Sequence, residues 1–535
     1  MKLFHQLLVA PAALGLLAPM AANATELNFN GVSDYAATGE QVTSITQFSD
    51  VYPTDWAYQA LGNLVERYGC VAGYPNGTFR GNRAMTRFEA AALLNACLDR
   101  VTEVTDELKM LMKEFSKELA ILKGRVDGLE AKVGELEAQQ FSTTTKMTVN
   151  SFWALGATTY GGDAKNPAGG DLGDATDKAD GATSFSYDLR IFLDTSFTGE
   201  DLLRTRLRSA NISDVYAGNG VVGLWSQEYG YQTGNNLELD RLFYQFPVAD
   251  EFTFTGGPMV RQDDMLAVWP AAYPAAMTVD FFTYAGAPGA YNLALGAGAG
   301  VIWSKDDFNI SASYLSTNGN GSDPDTGGIA TDGAGSNGTV QLSYAPEQWG
   351  VAVAYNYGST DNGVGLYSGN GTPLANKLQA NGVTNSAALS AWWMPEETGI
   401  IPSVSAGWGI NSTNSSADGN GITYDGSVLE SSTSQSWYVG LQWDDAFLEG
   451  NALGFAVGQP TFVTSIDKKN SSDDFVADGN YAFELFYNFQ VTDNISVTPA
   501  VHYFSRPLGG DKDSTVTDGD SFNSFGGMIK TTFVF

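Results

Sequence analysis

The stretch from Phe525 to Phe535 narrows the fold of this chain more than any other. Alternate positions read Phe525, Gly527, Ile529, Thr531, Phe533 and Phe535, while Gly526, Met528, Lys530, Thr532 and Val534 lie between them. Successive side chains of a strand point to opposite faces. One face here is apolar and the other can meet water. The same pattern runs from Thr183 to Phe197, where Phe185, Tyr187, Leu189, Ile191, Leu193 and Phe197 face one way and Ser184, Ser186, Asp188, Arg190, Asp194 and Ser196 the other. It recurs at Tyr481, Phe483, Leu485, Tyr487 and Phe489 against Glu484, Asn488 and Gln490, and at Ile495, Val497, Val501 and Tyr503 against Ser496, Thr498 and His502.

Such runs predict about sixteen strands of roughly ten residues, the length that crosses a bilayer as a tilted strand. Gly199-Glu200, Asp250-Glu251, Asp306-Asp307, Pro346-Glu347, Pro395-Glu396, Asp444-Asp445 and Thr492-Asp493 mark short turns. Long loops rich in Gly, Asn, Asp and Ser alternate with them, as at 161–181, 317–338 and 411–433. Short turns at one end and long loops at the other fit a closed barrel in a membrane, since only helices and closed barrels satisfy the backbone in lipid. A soluble sandwich explains neither this asymmetry nor the strand that stops on Phe535. The mean hydropathy of −0.13 also fits, because outward and inward residues average out.

The start of the chain supplies an export address. Lys2, an apolar run from Leu7 to Met20, and Ala22-Asn23-Ala24 read as a signal peptide spanning residues 1–24. No later segment holds the roughly 20 apolar residues of a membrane helix. The formal charge of −32 argues against nucleic acid as a partner, whose phosphates need Lys and Arg. The two His residues, His5 and His502, give no support to a His-based catalytic or metal site. No Ser/His/Asp or Cys/His arrangement stands out, so the chain reads as no enzyme and without cofactor or metal. The Asp/Asn-rich loops read as solvated rather than as Ca²⁺ or Mg²⁺ sites. Cys70 and Cys97 lie close in sequence, and in an oxidising export compartment they read as a disulfide.

Two further segments precede the barrel. Over 47–100, Trp56, Ala60, Leu61, Leu64, Val65 and Tyr68 have helical spacing, Gly69 stops the helix and Pro75-Asn76-Gly77 turns the chain. Thr86 and Glu89 form a capping-box pattern ahead of a second helix. With Phe48-Ser49-Asp50, Gly69-Cys70-Val71-Ala72-Gly73-Tyr74 and Thr86-Arg87-Phe88-Glu89, this stretch resembles an S-layer homology domain. The resemblance implies cell-wall glycan binding, with Trp56 and Arg87 at the matching positions. Gly81 and Asn76 depart from the family pattern. That family builds its site from three copies, which three chains side by side would supply. Over 101–140, Val101, Val104, Leu108, Leu111 and Phe115, then Leu119, Leu122, Val126, Leu129, Val133 and Leu136, step by threes and fours, as in a coiled coil. If wholly helical, this spacer would reach about 60 Å.

The order of these parts, with Glu238-Leu239-Asp240-Arg241-Leu242-Phe243-Tyr244-Gln245-Phe246, resembles cyanobacterial outer-membrane porins of the carbohydrate-selective (OprB) family, also labelled iron-uptake porins. That implies a homotrimer of sixteen-stranded channels in the outer membrane, passing small hydrophilic solutes such as inorganic ions, iron species or sugars. The domain at 47–100 would sit in the periplasm on peptidoglycan or a linked polysaccharide, and the barrel at 141–535 among outer-membrane lipid. The alternative is a structural tether with a nearly closed barrel.

Six of the barrel's seven arginines fall between 190 and 261: Arg190, Arg204, Arg206, Arg208, Arg241 and Arg261. Facing lipid at the bilayer midplane, an arginine costs about 2–4 kcal/mol, so these are expected to face the lumen. The next connection, Gln262 to Leu293, is long, apolar and carries Asp263, Asp264 and Asp280. It follows the fifth expected strand and is expected to fold inward, setting its acids against the basic wall as a transverse field across a constriction. The other reading of these arginines is structural pairing with lumen carboxylates such as Asp188.

Overall fold

The computed structural model describes residues 44–54, a few positions between 58 and 117 (58, 65–66, 78–79, 113 and 116–117), and 144–535 apart from 167, 213–227, 229, 275–276, 360–369, 380–381, 398, 415–422, 425–426, 470–473 and 510–520. Trp56, Arg87, Cys70, Cys97 and the heptad positions lie outside the described residues. The chain divides into two units, Met1–Gln140 and Phe141–Phe535.

In the first unit, Ile45, Phe48 and Val65 are buried. Glu66 accepts hydrogen bonds from the Ser44 hydroxyl and the Ile45 N–H, and Asp50 accepts one from the Phe79 N–H at 2.6 Å. The Phe48 and Phe79 rings meet at 5.8 Å. Lys113, Ser116 and Lys117 are helical and exposed.

The second unit is one antiparallel sheet closed on itself. Its strands are β1 (Thr145–Gly162), β2 (Ser184–Thr195), β3 (Leu202–Ala210), β4 (Glu238–Val248), β5 (Phe252–Arg261), β6 (Leu295–Lys305), β7 (Phe308–Ser316), β8 (Ser336–Tyr344), β9 (Trp349–Ser359), β10 (Val383–Trp393), β11 (Ser403–Asn414), β12 (Thr423–Tyr424), β13 (Ser427–Asp444), β14 (Ala452–Lys468), β15 (Asp474–Phe475), β16 (Tyr481–Thr492), β17 (Ile495–Ser505) and β18 (Phe522–Val534). The two-residue β12 and β15 sit in loops and pair only with β13 and β14; the other sixteen form the wall. Each pairs with its neighbour in sequence, and β1 with β18 closes the ring. Val149 and Phe535 exchange backbone hydrogen bonds of 2.7 and 3.0 Å at that seam. Closure removes the sheet edges that lipid would leave unpaired.

All seven turns expected to be short are short, and the long connections lie at the other end. Asp306 and Asp445 take positive φ in two of these turns, as does Gly199 in a third. Asp201 ties down the turn after β2, accepting from Ser196, from Thr198 and from the Tyr244 hydroxyl. Burial raises this carboxyl, but the hydrogen bonds from Thr198, Tyr244 and Ser196 outweigh it and hold the group well below the usual range.

Outward positions carry the apolar belt. Trp349, Val351, Val353, Tyr355 and Tyr357 of β9 are exposed, while Gly350, Ala352, Ala354 and Asn356 between them are buried. At the short-turn end, Phe197, Tyr244, Phe246 and Phe254 form a chain of ring contacts, as do Phe308, Tyr344 and Trp349. This is an aromatic girdle of the kind that sits at a membrane interface. On β18 and at Phe535 just after it the expected alternation is present: Phe525, Ile529 and Phe535 are exposed, and Ser524, Met528 and Lys530 buried.

Candidate functional site

The connection from β5 to β6 enters the lumen, and its ends are tied together first. Gln262, fully buried, donates through its amide to the Ala290 carbonyl at 2.7 Å and to Thr339 at 2.6 Å, and accepts from the Leu293 N–H. Asn292 then joins Asn337 and Asn356 of the facing strands. Between these ends the segment crosses to the opposite wall. There Ser405 accepts from the N–H groups of Ala272 and Tyr273 at 2.8 and 2.9 Å. Glu484 of β16 accepts from the Tyr273 hydroxyl and the Val279 N–H, both at 2.6 Å. Lys530 of β18 donates to the Met277 carbonyl at 2.7 Å. Two charged wall residues thus grip the crossing segment on its polar backbone, satisfying groups that would otherwise be buried unpaired.

The wall that receives this segment is stripped of bulk. The lumen-facing positions of β11 are Ser403, Ser405, Gly407, Gly409, Asn411 and Thr413. A Cβ on Gly407 would lie 1.8 Å from the Ala285 carbonyl, and one on Gly440 would lie 2.5 Å from the Tyr273 ring. Gly286 approaches the same wall with φ of +72°, a conformation side chains rarely take. Into the space left by these small residues pack Tyr273, Phe281, Phe282, Tyr284 and Tyr291, all buried. Each such ring contributes about 1.5–3 kcal/mol on burial, so apolar packing as well as hydrogen bonding holds the segment in.

The opposite quarter of the lumen, β2 to β5, is charged. Asp188 accepts from both Arg190 and Arg208, Asp194 from Arg204, and Asp240 from Arg206 and Arg241. Arg204 and Arg206 flank the Phe192 ring at 5.4 and 5.5 Å, and Arg208 lies 3.9 Å over Tyr231. Arg206, Arg208 and Arg241 are buried, whereas the Arg204 and Arg261 side chains keep 30% and 26% of their surface exposed. Arg190 lies between, 13% exposed.

The charge geometry departs from the expected transverse field. Asp263 and Asp264 do not stand across the opening from the arginines. They cap the end of β5, where Asp263 pairs with Arg261, and Asp264 accepts from the Arg241 side chain and the Arg261 N–H, each at 2.9 Å. Burial raises the Asp264 carboxyl and the Asp263 charge adds to it, while the Asp263 carboxyl is held low against burial by Arg261. Asp280 sits in the 3-10 turn Asp280–Tyr284, where Asn370 donates to it at 2.6 Å. Opposite charges are thus compensated at close range, because neighbouring strands bring Asp and Arg within bonding distance.

Sequence reasoning missed Glu484, Lys530, Gln262 and Asn292. The first two carried a signal: an ionisable residue alternating with Phe or Ile in a membrane strand must face inward. What it meets there is set 205 to 253 residues away in the chain.

Residues 103–535 match the family described as "Carbohydrate-selective porin, OprB family", and residues 47–91 match the S-layer homology domain. An uncharacterized protein of Nostoc sp. is 34% identical over 544 residues, covering 92% of this chain and 86% of that protein. An uncharacterized protein of Synechocystis sp. is 32% identical over 547 residues, covering 94% and 93%. Outer membrane protein SlpA of Deinococcus radiodurans is 34% identical over 117 residues, 20% of this chain and 10% of that protein. Among solved structures, Pseudomonas putida OprB aligns with a TM-score of 0.47 at 13% identity, covering 73% of this chain and 94% of that one.

Proposed function

Since the chain belongs to the carbohydrate-selective porin (OprB) family and carries an S-layer homology domain before its barrel, we propose that it is a passive diffusion channel for small hydrophilic solutes. It is an outer-membrane protein, and the wall-binding domain ties that membrane to peptidoglycan or a linked polysaccharide through Trp56 and Arg87. The passage runs along β2 to β5, lined by Arg190, Arg204 and Arg261 with Asp194 and Asp263, while Arg206, Arg208, Arg241 and Asp264 brace it from behind. The observation that carries this reading is the division of the lumen. The incoming segment packs on the small-residue wall, and the partly exposed charged groups lie on the other side. Paired guanidinium and carboxylate groups offer hydrogen bonds to hydrated ions and to hydroxylated solutes alike. The solutes are inorganic ions, with sugars and iron species as larger candidates. Three chains side by side form the working unit and bring together three wall-binding domains.

A second reading has its own support. The buried cluster inside the barrel includes side chains from β1, β9, β10, β13, β14, β16, β17 and β18 as well as the inserted segment, so apolar packing fills part of the interior. On that reading the protein is chiefly a tether. Purified protein in planar bilayers separates the two: steady open steps in simple salt support the channel, and a silent bilayer containing correctly assembled barrels supports the tether.

A further inference from the structure

Where the inserted segment turns, three loops from the long-loop end converge on two carboxyl groups. Glu228 comes from the β3–β4 connection, Asp280 from the β5–β6 connection and Asn370 from the β9–β10 connection. Thr283 joins the two acids: its hydroxyl lies 3.0 Å from Glu228 Oε2 and 2.8 Å from the Asp280 carbonyl. The Glu228 N–H donates to the Thr278 carbonyl at 3.1 Å, and Asn370 Nδ2 lies 2.6 Å from Asp280 Oδ2. Burial and the facing Glu228 push the Asp280 carboxyl well above the ordinary range. The two acids repel when both are charged, and the Asn370 donor on Asp280 and the Thr283 donor on Glu228 offset this only in part.

Two further observations converge on this junction. Asn370 is fully buried, and its Oδ1, on the same amide that meets Asp280, has no hydrogen-bond partner. Thr278, 1% exposed, also has an unpartnered hydroxyl oxygen. Buried oxygens left without a partner are costly, because they have given up water and received nothing in return. The charge count points the same way. The described ionisable groups acting on one another here are Glu228, Asp280, Glu484 and Lys530, with Arg261 acting on Glu228, Arg190 on Lys530 and the Tyr284 hydroxyl beside Asp280. The groups acting most strongly on Asp280 are Glu228, Asn370 and Tyr284, none of them a cation, and a buried acid without a counterion is expensive.

We propose that Glu228, Asp280, Asn370 and Thr278 form a binding site for a hard divalent cation of calcium size, stapling three loops to the turn of the inserted segment. Two carboxylates, an amide oxygen and a hydroxyl are the oxygen set such an ion takes, and their origin in separate loops suits the flexible coordination of Ca²⁺ better than the strict octahedron of Mg²⁺. A half-turn of the Asn370 amide presents Oδ1 to the ion. The ion replaces the repulsion between the acids with attraction and binds the loops to one another. This assignment does not depend on whether the barrel conducts.

The full-length protein in detergent, stripped with EGTA, is titrated with CaCl₂ by calorimetry, and its melting is followed with and without the ion. Wild type is expected to show one site per chain, above any weak loop binding, that Asp280→Asn abolishes and Glu228→Gln weakens at least about tenfold. Ca²⁺ should raise the melting midpoint of wild type and leave Asp280→Asn unmoved, and Mg²⁺ should do less at equal concentration. Asn370→Asp is expected to bind Ca²⁺ more tightly and to depend on it for stability, a gain that keeps the test sharp if Asp280→Asn fails to assemble. Identical titrations of wild type and Asp280→Asn would overturn the site. So would an Asn370→Asp variant that Ca²⁺ does not rescue, because a proton shared by the two acids would then be the whole account.

Discussion

The two sides of the lumen solve opposite problems with the same strand geometry. On β11, β13 and β14 the inward positions beneath the inserted segment are mostly Gly, Ser and Ala, with Asn411 and Tyr438 among them, and the segment covers them. On β2, β3 and β4 they are chiefly Arg and Asp, and part of their surface stays open. Side-chain volume on the wall thus decides where the loop can rest. Removing Cβ atoms makes a seat, and filling the wall with paired guanidinium groups denies one. Charge enters in two ways. Glu484 and Lys530 on the seated side hold backbone and hydroxyl groups of the loop, whereas the arginines on the open side hold one another's counterions.

Filling the seat should break this division most severely. In Gly407→Val the new side chain meets the Ala285 carbonyl, which belongs to backbone and cannot swing away. We expect a cost of about 1–3 kcal/mol or more and a segment displaced into the bore, read as altered single-channel conductance and rapid proteolysis between 266 and 290. The lipid-facing control Thr205→Val should match wild type in both assays. Glu484→Ala tests the grip rather than the seat. It removes the acceptor of two buried hydrogen bonds and leaves Lys530 without its carboxylate neighbour, for an expected loss of about 3–5 kcal/mol in the segment's hold, offset where water enters. Thermal melting and limited proteolysis report it; protection equal to wild type would mean that packing alone holds the loop.

On the open side the expected effects are smaller. Replacing Arg204, Arg206 and Arg208 with Ala strips partners from Asp194, Asp240 and Asp188 and should shift the reversal potential toward cations. An unchanged potential would place the passage elsewhere. The smallest effect on conduction belongs to Arg87→Ala in the wall-binding domain, which should leave the channel unaltered and lower retention on purified sacculi. Equal retention would reduce Arg87 to a surface charge.

The architecture was legible because alternation and turn chemistry are local. Phe185 to Leu193 announces a half-wet strand without reference to any neighbour, and Asp306-Asp307 announces a turn. The inward course of the segment after β5 was legible from its apolar content. The pairing of the arginines was less so, because it depends on register between strands. The shift between Arg206 and Leu207, opposite Asp240, is a bulge that no alternation count reveals. For Glu484 the inward face was readable, but its partners Tyr273 and Val279 belong to a distant loop. Likewise Gly407 and Gly440 look like ordinary strand glycines until the Ala285 carbonyl and the Tyr273 ring are seen against them.

The division of the lumen is tested most directly by thiol block of single cysteines placed on its two sides. In planar bilayers, a bulky charged thiol reagent should cut the current through Arg204→Cys channels sharply and leave Ser436→Cys channels, whose site lies under the inserted segment, untouched. Block of the Ser436→Cys channels with no effect on Arg204→Cys would contradict the account.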